Sequence, residues 1–229
     1  IEELRRSRQW NSKTPGHPEY GLTPGVETTT GPLGQGVANS VGMSMAEAWL
    51  AAHFNRPGHE IVDYRVYAIC SDGDLMEGVS QEAASLAGHL ELNKLIWIYD
   101  NNRITIEGNT ALAFSDDVAA RFMSYNWNVQ RVGDANDIDL LDHAIPIAQR
   151  ETTRPSLIIV DSLIAWGPPN KQDTSAAHGE PLGEEEIRLT KQRYGWPPDA
   201  KFFVPEEVAQ HMKRAVEHGR QAEQEWDER

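Results

Sequence analysis

The chain has 229 residues, 39% of them hydrophobic and 24% charged, with a formal net charge of −14 from 35 acidic and 21 basic side chains. That length accommodates one α/β domain with a sizeable core, and the acidic balance argues against nucleic acid or an anionic membrane as a partner. No apolar run approaches the ~18 residues of a membrane span, nothing resembles a signal peptide, and the single cysteine, Cys70, rules out an internal disulfide and fits a reducing cytoplasm.

In chain order, the charged run Glu2 to Arg8 opens the sequence, and residues 11 to 33, rich in Gly, Pro and Thr, predict an irregular loop facing a ligand. Gly34 to Phe54 predicts a long helix with a small, apolar interior (Val37, Ala38, Val41, Gly42, Ala46), suited to close burial. Tyr64 to Cys70 and Lys94 to Tyr99 read as buried strands, with the Ala-rich helix Gln81 to Leu90 between them. A helix capped by Ser115-Asp116-Asp117 runs to about Tyr125, followed by a strand at Asn128 to Val132, a helix at Asp137 to Glu151 and an apolar strand at Ser156 to Ile164. A loop from Trp166 to Leu182 leads to a helix start at Gly183-Glu184-Glu185-Glu186. The alternation predicts an α/β fold, a doubly wound parallel sheet flanked by helices. Residues 1–195 make up the main domain; residues 196–229 read as a Pro-rich linker and a solvated polar helix from Glu206 to about Glu228. Because the chain opens on Ile1 and has charged runs at both ends, it reads as part of something larger.

Two polar turns stand out. Ser71-Asp72-Gly73-Asp74 follows the first strand, and Tyr99-Asp100-Asn101-Asn102 closes the second, so Asp72 and Asn102 lie thirty positions apart. A strand-helix-strand unit of this length makes neighbouring parallel strands whose C-terminal ends share one sheet edge. Open α/β sheets bind ligands at that edge. A carboxylate and a carboxamide converging there are two hard oxygen donors for Mg²⁺ or Ca²⁺, with a phosphate completing the shell. Gly73 allows close approach of its amide, since no Cβ intervenes.

This pattern resembles the diphosphate-anchoring signature of thiamin diphosphate enzymes, Gly-Asp-Gly and then Asn-Asn about thirty residues on, with Ser71 in place of the first Gly. Further segments are similar to the transketolase family: Gly16-His17-Pro18-Glu19, Thr28-Thr29-Thr30-Gly31-Pro32-Leu33-Gly34-Gln35-Gly36, Leu75-Met76-Glu77-Gly78, Ala177-His178-Gly179 and Gly195-Trp196-Pro197-Pro198. The likeness covers nearly the whole chain in the right order. It corresponds to the family's cofactor-diphosphate domain, without the family's N-terminal segment and two C-terminal domains.

The resemblance implies a thiamin diphosphate-binding fold and transfer of a two-carbon ketol unit from a ketose phosphate to an aldose phosphate, in the cytoplasm. It implies Asp72, Asn102 and the Ile104 carbonyl as ligands of Mg²⁺ or Ca²⁺. Gly73, Asn102 and His178 would contact the diphosphate, and Gly31, Pro32 and Leu33 the aminopyrimidine. His17 would lie near the 4'-amino group, and His178 would have an acid/base role on the substrate. Glu77 would join a carboxylate network between active sites. The glutamate that protonates the pyrimidine is absent here, so sugar phosphate turnover would need a pyrimidine-binding domain or subunit, in a homodimer or hetero-oligomer. The strongly acidic charge fits sugar phosphates only if the phosphate is held by residues outside this segment.

Other readings remain in view. Asp72-Gly73-Asp74 after a strand is superficially the Asp-x-Asp of dehalogenase-type phosphatases, but Met76 stands where Thr or Val is usual. Gly31-x-x-Gly34-x-Gly36 has the reverse spacing of a dinucleotide fingerprint and lacks the preceding strand. A non-catalytic binding or assembly module that keeps the fold as an interaction surface, and a dihydroxyacetone synthase-like enzyme, are the two remaining alternatives.

Overall fold

The computed structural model describes residues 1–229. A one-turn helix α1 (Glu2–Arg5) and an irregular loop lead into α2 (Gln35–Phe54). Then follow β1 (Val66–Ser71), α3 (Asp72–Met76), α4 (Gly78–His89), β2 (Leu95–Asn101), α5 (Val118–Ser124), β3 (Asn128–Val132), α6 (Ile138–Arg150) and β4 (Ser156–Asp161). The chain ends with α7 (Glu184–Arg193) and α8 (Glu206–Asp227).

All four strands are parallel, in the order β1-β2-β4-β3. With right-handed crossovers, this order decides which face of the sheet each connecting helix covers. Helices α4 and α5 carry the chain in one direction across one face, and α6 brings it back across the other, setting β4 between β2 and β3. The first face holds the larger core: Leu95, Trp97 and Tyr99 of β2 with Leu157 and Ile159 of β4, beneath Val37 and Val41 of α2, Ala84 and Ala87 of α4, and Phe122 of α5. On the second face Ile96, Ile158, Val160 and Val132 pack against Ala144 and Ala148 of α6. Because β2 and β4 are covered on both faces, they read as unbroken apolar runs.

Polar groups inside the larger core are paired, as burial requires. Trp97 Nε1 donates to Ser40 Oγ at 2.9 Å, and Trp127 Nε1 to the Ala84 carbonyl at 2.8 Å. Buried Glu47 is met by Lys94 Nζ at 2.5 Å. The rings of Trp97, Phe122 and Trp127 form one cluster, with centroids 4.7 to 5.7 Å apart. Cys70 is buried in this core, and burial pushes its thiol up, so it is a packing residue and not a nucleophile.

Several boundaries differ from the sequence expectations. The first strand starts at Val66, not Tyr64, because its ladder partner there, Leu95, is the first residue of β2. It runs on to Ser71, which pairs with Asp100. The second strand extends past Tyr99 to Asn101, paired with Asp161, and β4 stops there rather than at Ile164, since β2 offers no partner beyond Asn101. Helix α4 begins at Gly78, three residues before Gln81, with Glu77 as its N-cap residue. The turn Ser71–Asp74 is the opening of α3, where Ser71 and Asp74 form a reciprocal capping box.

Candidate functional site

The C-terminal ends of β1 and β2 form one rim of the sheet. Asp72, the first residue after β1, is only 2% exposed. Its Oδ1 accepts the Tyr99 hydroxyl at 2.5 Å, and its Oδ2 accepts the Arg103 backbone N–H at 2.8 Å. Asn102, 8% exposed, stands beside it: Asn102 Nδ2 lies 3.1 Å from Asp100 Oδ2 and 3.4 Å from Ser71 Oγ. Asn102 Oδ1 accepts the Ile104 N–H at 2.9 Å. The Ile104 carbonyl accepts no hydrogen bond from the chain, because its bridge to Asn109 is built from the bonds of the flanking residues. Asp72 and Asn102 are therefore neighbours on one rim, as the two turns suggested, and Ile104, which only the family resemblance had singled out, lies beside them.

The rim carries Arg103 and Arg131, but Arg131 is taken up by Asp161 and neither forms an ion pair with Asp72. No basic side chain pairs with Asp72, and burial pushes its carboxyl up, opposed by the Tyr99 and Arg103 hydrogen bonds and reinforced by the charge of Asp100. A buried carboxylate without a cationic partner is costly, and a divalent ion would offset that cost. The candidate donors are a carboxylate, a carboxamide and a backbone carbonyl, all hard oxygens. No group of three His, Cys, Asp or Glu side chains is arranged to hold a metal, so a cation on this rim would need donors from outside the chain as well.

The Gly31 to Gly36 loop is fastened over this rim by Asp74. One carboxylate oxygen of Asp74 accepts the Ser71 N–H at 3.0 Å and the other the Gly34 N–H at 2.8 Å. Gly34 has φ +83°, and a Cβ there would lie 2.8 Å from Ser80 Oγ and from Val79 Cγ1, so only glycine fits. A Cβ on Gly73 would come 3.2 Å from Leu33 Cδ1, which sets the loop directly against the Ser71–Asp74 turn. Gly31, Pro32 and Leu33 are exposed at its tip. His17 is exposed and lies against Gly31, its Cγ 3.9 Å from where a Gly31 Cβ would stand. Glu77 is exposed, packed near Gly34 at the start of α4.

His178 follows the 3₁₀ turn Ser175–Ala177. No hydrogen bond links it to the rim, yet its Nδ1 is buried and unpartnered. Such an orphan polar atom is uncommon in a folded chain, and it fits a group that bonds to something the chain does not supply. Two cavities flank the Asn101–Arg103 segment. One of about 470 Å³ reaches Asp72, Tyr99 and Arg131, and another of about 380 Å³ reaches Asn102, Asp161 and Asp173.

Sequence reasoning missed Asp74, Tyr99 and Asn101. Asp74 carried a signal, since Ser71-x-x-Asp74 has the spacing of a capping box. Tyr99 also carried one: it shares the face of Leu95 and Trp97 at the end of β2, so a buried hydroxyl at the rim was foreseeable.

All 229 residues match the family model described as "Transketolase, thiamine diphosphate binding domain". The chain is 54% identical to the transketolase of Geobacillus stearothermophilus over all of its length and 34% of that protein. It superposes on the transketolase of Leishmania mexicana with a TM-score of 0.97 at 45% identity, and on a transketolase of Pichia stipitis in complex with sedoheptulose 7-phosphate with a TM-score of 0.96 at 44% identity. Each alignment covers 99% of this chain and 34% of the solved one, so the chain spans about a third of the length of its relatives. A match over the whole chain, in sequence and in structure, shows that it belongs to the transketolase thiamine diphosphate binding domain family.

Proposed function

We propose that the chain is the diphosphate- and metal-holding part of a thiamin diphosphate-dependent transketolase, transferring a two-carbon ketol unit from a ketose phosphate to an aldose phosphate. The observation that carries this reading is the full-length family match. The adjacency of Asp72 and Asn102 on one rim supports it. Residues 1–195 serve as the cofactor domain, and residues 196–229 as the linker and helix leading away from it. The sugar phosphates follow from the relatives, one of which was solved with sedoheptulose 7-phosphate.

Asp72, Asn102 Oδ1 and the Ile104 carbonyl would hold Mg²⁺ or Ca²⁺, with the diphosphate completing the shell. Gly73, without a Cβ, admits the diphosphate, and Gly31, Pro32 and Leu33 cover the aminopyrimidine. When bound, thiamin diphosphate supplies the carbanion chemistry that cleaves and reforms the C–C bond. The chain's own part is to bind, orient and move protons. His17 orients the donor beside the Gly31 loop. The unpartnered Nδ1 of His178 accepts or donates a proton at a substrate hydroxyl and bonds to the diphosphate. Glu77 belongs to a carboxylate network between active sites. A pyrimidine-binding domain, on the same or another polypeptide of a cytoplasmic homodimer or hetero-oligomer, supplies the remaining groups.

The test is calorimetric titration of thiamin diphosphate with Mg²⁺ into the chain, alone and with a transketolase pyrimidine-binding domain, followed by a ketol-transfer assay. Cofactor binding that is lost in Asp72→Asn, with turnover only in the presence of the second domain, is the expected outcome. No binding under either condition would favour the non-catalytic module, and robust turnover by the chain alone would refute the need for a partner.

A further inference from the structure

The Asp72 carboxylate is fixed by two donors. One, the Arg103 N–H, belongs to the backbone, and any residue at that position supplies it. The other is the Tyr99 hydroxyl, on a side chain that is 2% exposed and built into the larger core. Its ring cannot swing away without opening that core. The same hydroxyl lies 3.0 Å from Asn101 Oδ1. A phenol carries one proton, so two acceptors compete for a single donor.

The orientation of the Asn101 amide decides that its oxygen, and not its nitrogen, faces Tyr99. Asn101 Nδ2 donates to Asp161 Oδ1 at 2.6 Å. Asp161 is in turn gripped by Arg131, Nε to Oδ2 at 2.8 Å and Nη2 to Oδ1 at 2.8 Å. A bidentate pair of this kind has fixed geometry, and a flipped amide would set its oxygen against the carboxylate. The line Arg131–Asp161–Asn101–Tyr99–Asp72 thus runs from the exposed rim of β3 to the buried carboxylate, and all of its members but Asp161 line the 470 Å³ cavity.

We propose that Tyr99 is the positioning residue of Asp72: its O–H donates to Asp72 Oδ1, the charged and closer acceptor, and holds the carboxylate in one orientation whether or not a divalent cation occupies the remaining lone pairs. Arg131 and Asp161 fix the Asn101 amide so that its oxygen faces the same hydroxyl as the weaker, more distant acceptor. The inference rests on the proposed role of Asp72 as a metal ligand and adds a residue to that site. Partners that orient a ligating carboxylate typically matter by 10- to 100-fold in metal affinity.

The experiment is Mn²⁺ titration into the full 229-residue chain with thiamin diphosphate present, read by electron paramagnetic resonance. It would be run on wild type, Asp72→Asn, Tyr99→Phe and, as a control, Tyr67→Phe, whose hydroxyl bonds Gln149 away from the rim. Tyr99→Phe is expected to bind Mn²⁺ about tenfold more weakly, with broadened hyperfine lines from a carboxylate no longer held in one orientation, while Tyr67→Phe matches wild type. The bond itself is read by ultraviolet resonance Raman of the tyrosine doublet, wild type minus Tyr99→Phe, which isolates one of the six tyrosines. That difference should show a strongly donating phenol both before and after Mg²⁺ is added, and a phenol that stops donating to the carboxylate once the cation is bound overturns the proposal.

Loss of binding in Asp72→Asn, together with wild-type affinity and line width in Tyr99→Phe, overturns the positioning role and leaves the metal site standing. Wild-type binding by Asp72→Asn overturns both. If Tyr99→Phe does not fold, Asn101→Leu takes its place, since it removes the second acceptor and leaves the bond to Asp72. In that case wild-type Mn²⁺ affinity and line width in Asn101→Leu support a hydroxyl that holds Asp72 by itself, and binding weakened about tenfold overturns the proposal by assigning the orientation to Asn101.

Discussion

On one face of the sheet Trp97, Tyr99 and Ile159 are sealed beneath α2, α4 and α5, whereas on the other the middle of β1 lies open, with Ile69 79% exposed and Tyr67 45%. The two faces share a backbone but not a burden. Helix α6 packs on β3 and β4 and reaches Ile96 of β2 but leaves the middle of β1 bare, so the second face is an incomplete core. The first face carries Tyr99, and through it Asp72, so the position of the candidate metal ligand is set by the aromatic cluster below it. Substitutions on the sealed face should therefore cost stability and disturb the rim, and those on the open half of the second face should do neither.

The largest effect is expected at Trp97. Replacing it by Ala removes a fully buried indole, its bond to Ser40 and its contacts with Phe122 and Trp127. Truncations of this kind cost about 3–5 kcal/mol, measurable as a shift of the urea midpoint at unchanged slope. Gly88→Ala comes next. A Cβ at Gly88 would stand 1.7 Å from the Tyr125 carbonyl oxygen, a backbone atom that cannot rotate aside, so α4 and the end of α5 must move apart. Overpacking of this type costs about 1–3 kcal/mol, and a midpoint unchanged from wild type would mean that the two helices are not held as tightly as the first face implies.

The same contrast explains what could be read from the sequence. The strands β2 and β4 were legible because burial on both faces leaves Leu95 to Tyr99 and Ser156 to Val160 almost wholly apolar. Their parallel pairing followed from the intervening helices, and with it the adjacency of Asp72 and Asn102. The ends were less legible. Whether β2 stops at Tyr99 or Asn101 depends on a ladder partner, Asp161, sixty residues away, and local pattern has no access to it. The start of α4 at Gly78 was hidden for another reason, since glycine is a poor helix former and Glu77 caps the helix without a side-chain bond. The open half of the second face could not be foreseen at all. Tyr67 and Ile69 read as core residues by composition, and only the placement of α6 leaves them bare.

Asp72→Asn should raise stability in the absence of metal. The folded-state carboxyl is held above its ordinary value, first by burial and then by Asp100, against the hydrogen bonds from Tyr99 and Arg103. A raised carboxyl contributes stability that is complete below its unfolded value, near 4, and is lost as pH rises through the folded value. At neutral pH the wild-type chain therefore holds an unpaired buried charge. The Asn amide can still accept from Arg103 with its oxygen and donate to the Tyr99 oxygen with its nitrogen. A gain of about 0.5–2 kcal/mol is expected at neutral pH, the range found when strained functional sites are relaxed, and it should shrink toward pH 4. A loss of stability at pH 7 would show that the rim already satisfies the charge, and the electrostatic case for a cation would weaken.

The smallest effect is expected at Ile69, and it separates the two faces most directly. Ile69 sits in the centre of β1, next to Cys70, which is 3% exposed on the sealed face. Ile69→Thr keeps the β-branch that suits a strand and changes only what the side chain presents to solvent. If the second face over β1 is water-exposed, the unfolding free energy should stay within about 0.5 kcal/mol of wild type, as for surface substitutions generally, and should not depend on protein concentration. A loss above about 1 kcal/mol that grows with protein concentration would mean that Ile69 is covered by a second copy in solution. The open half of the second face would then be an interface, and the asymmetry between the faces would belong to the single chain and not to the assembly.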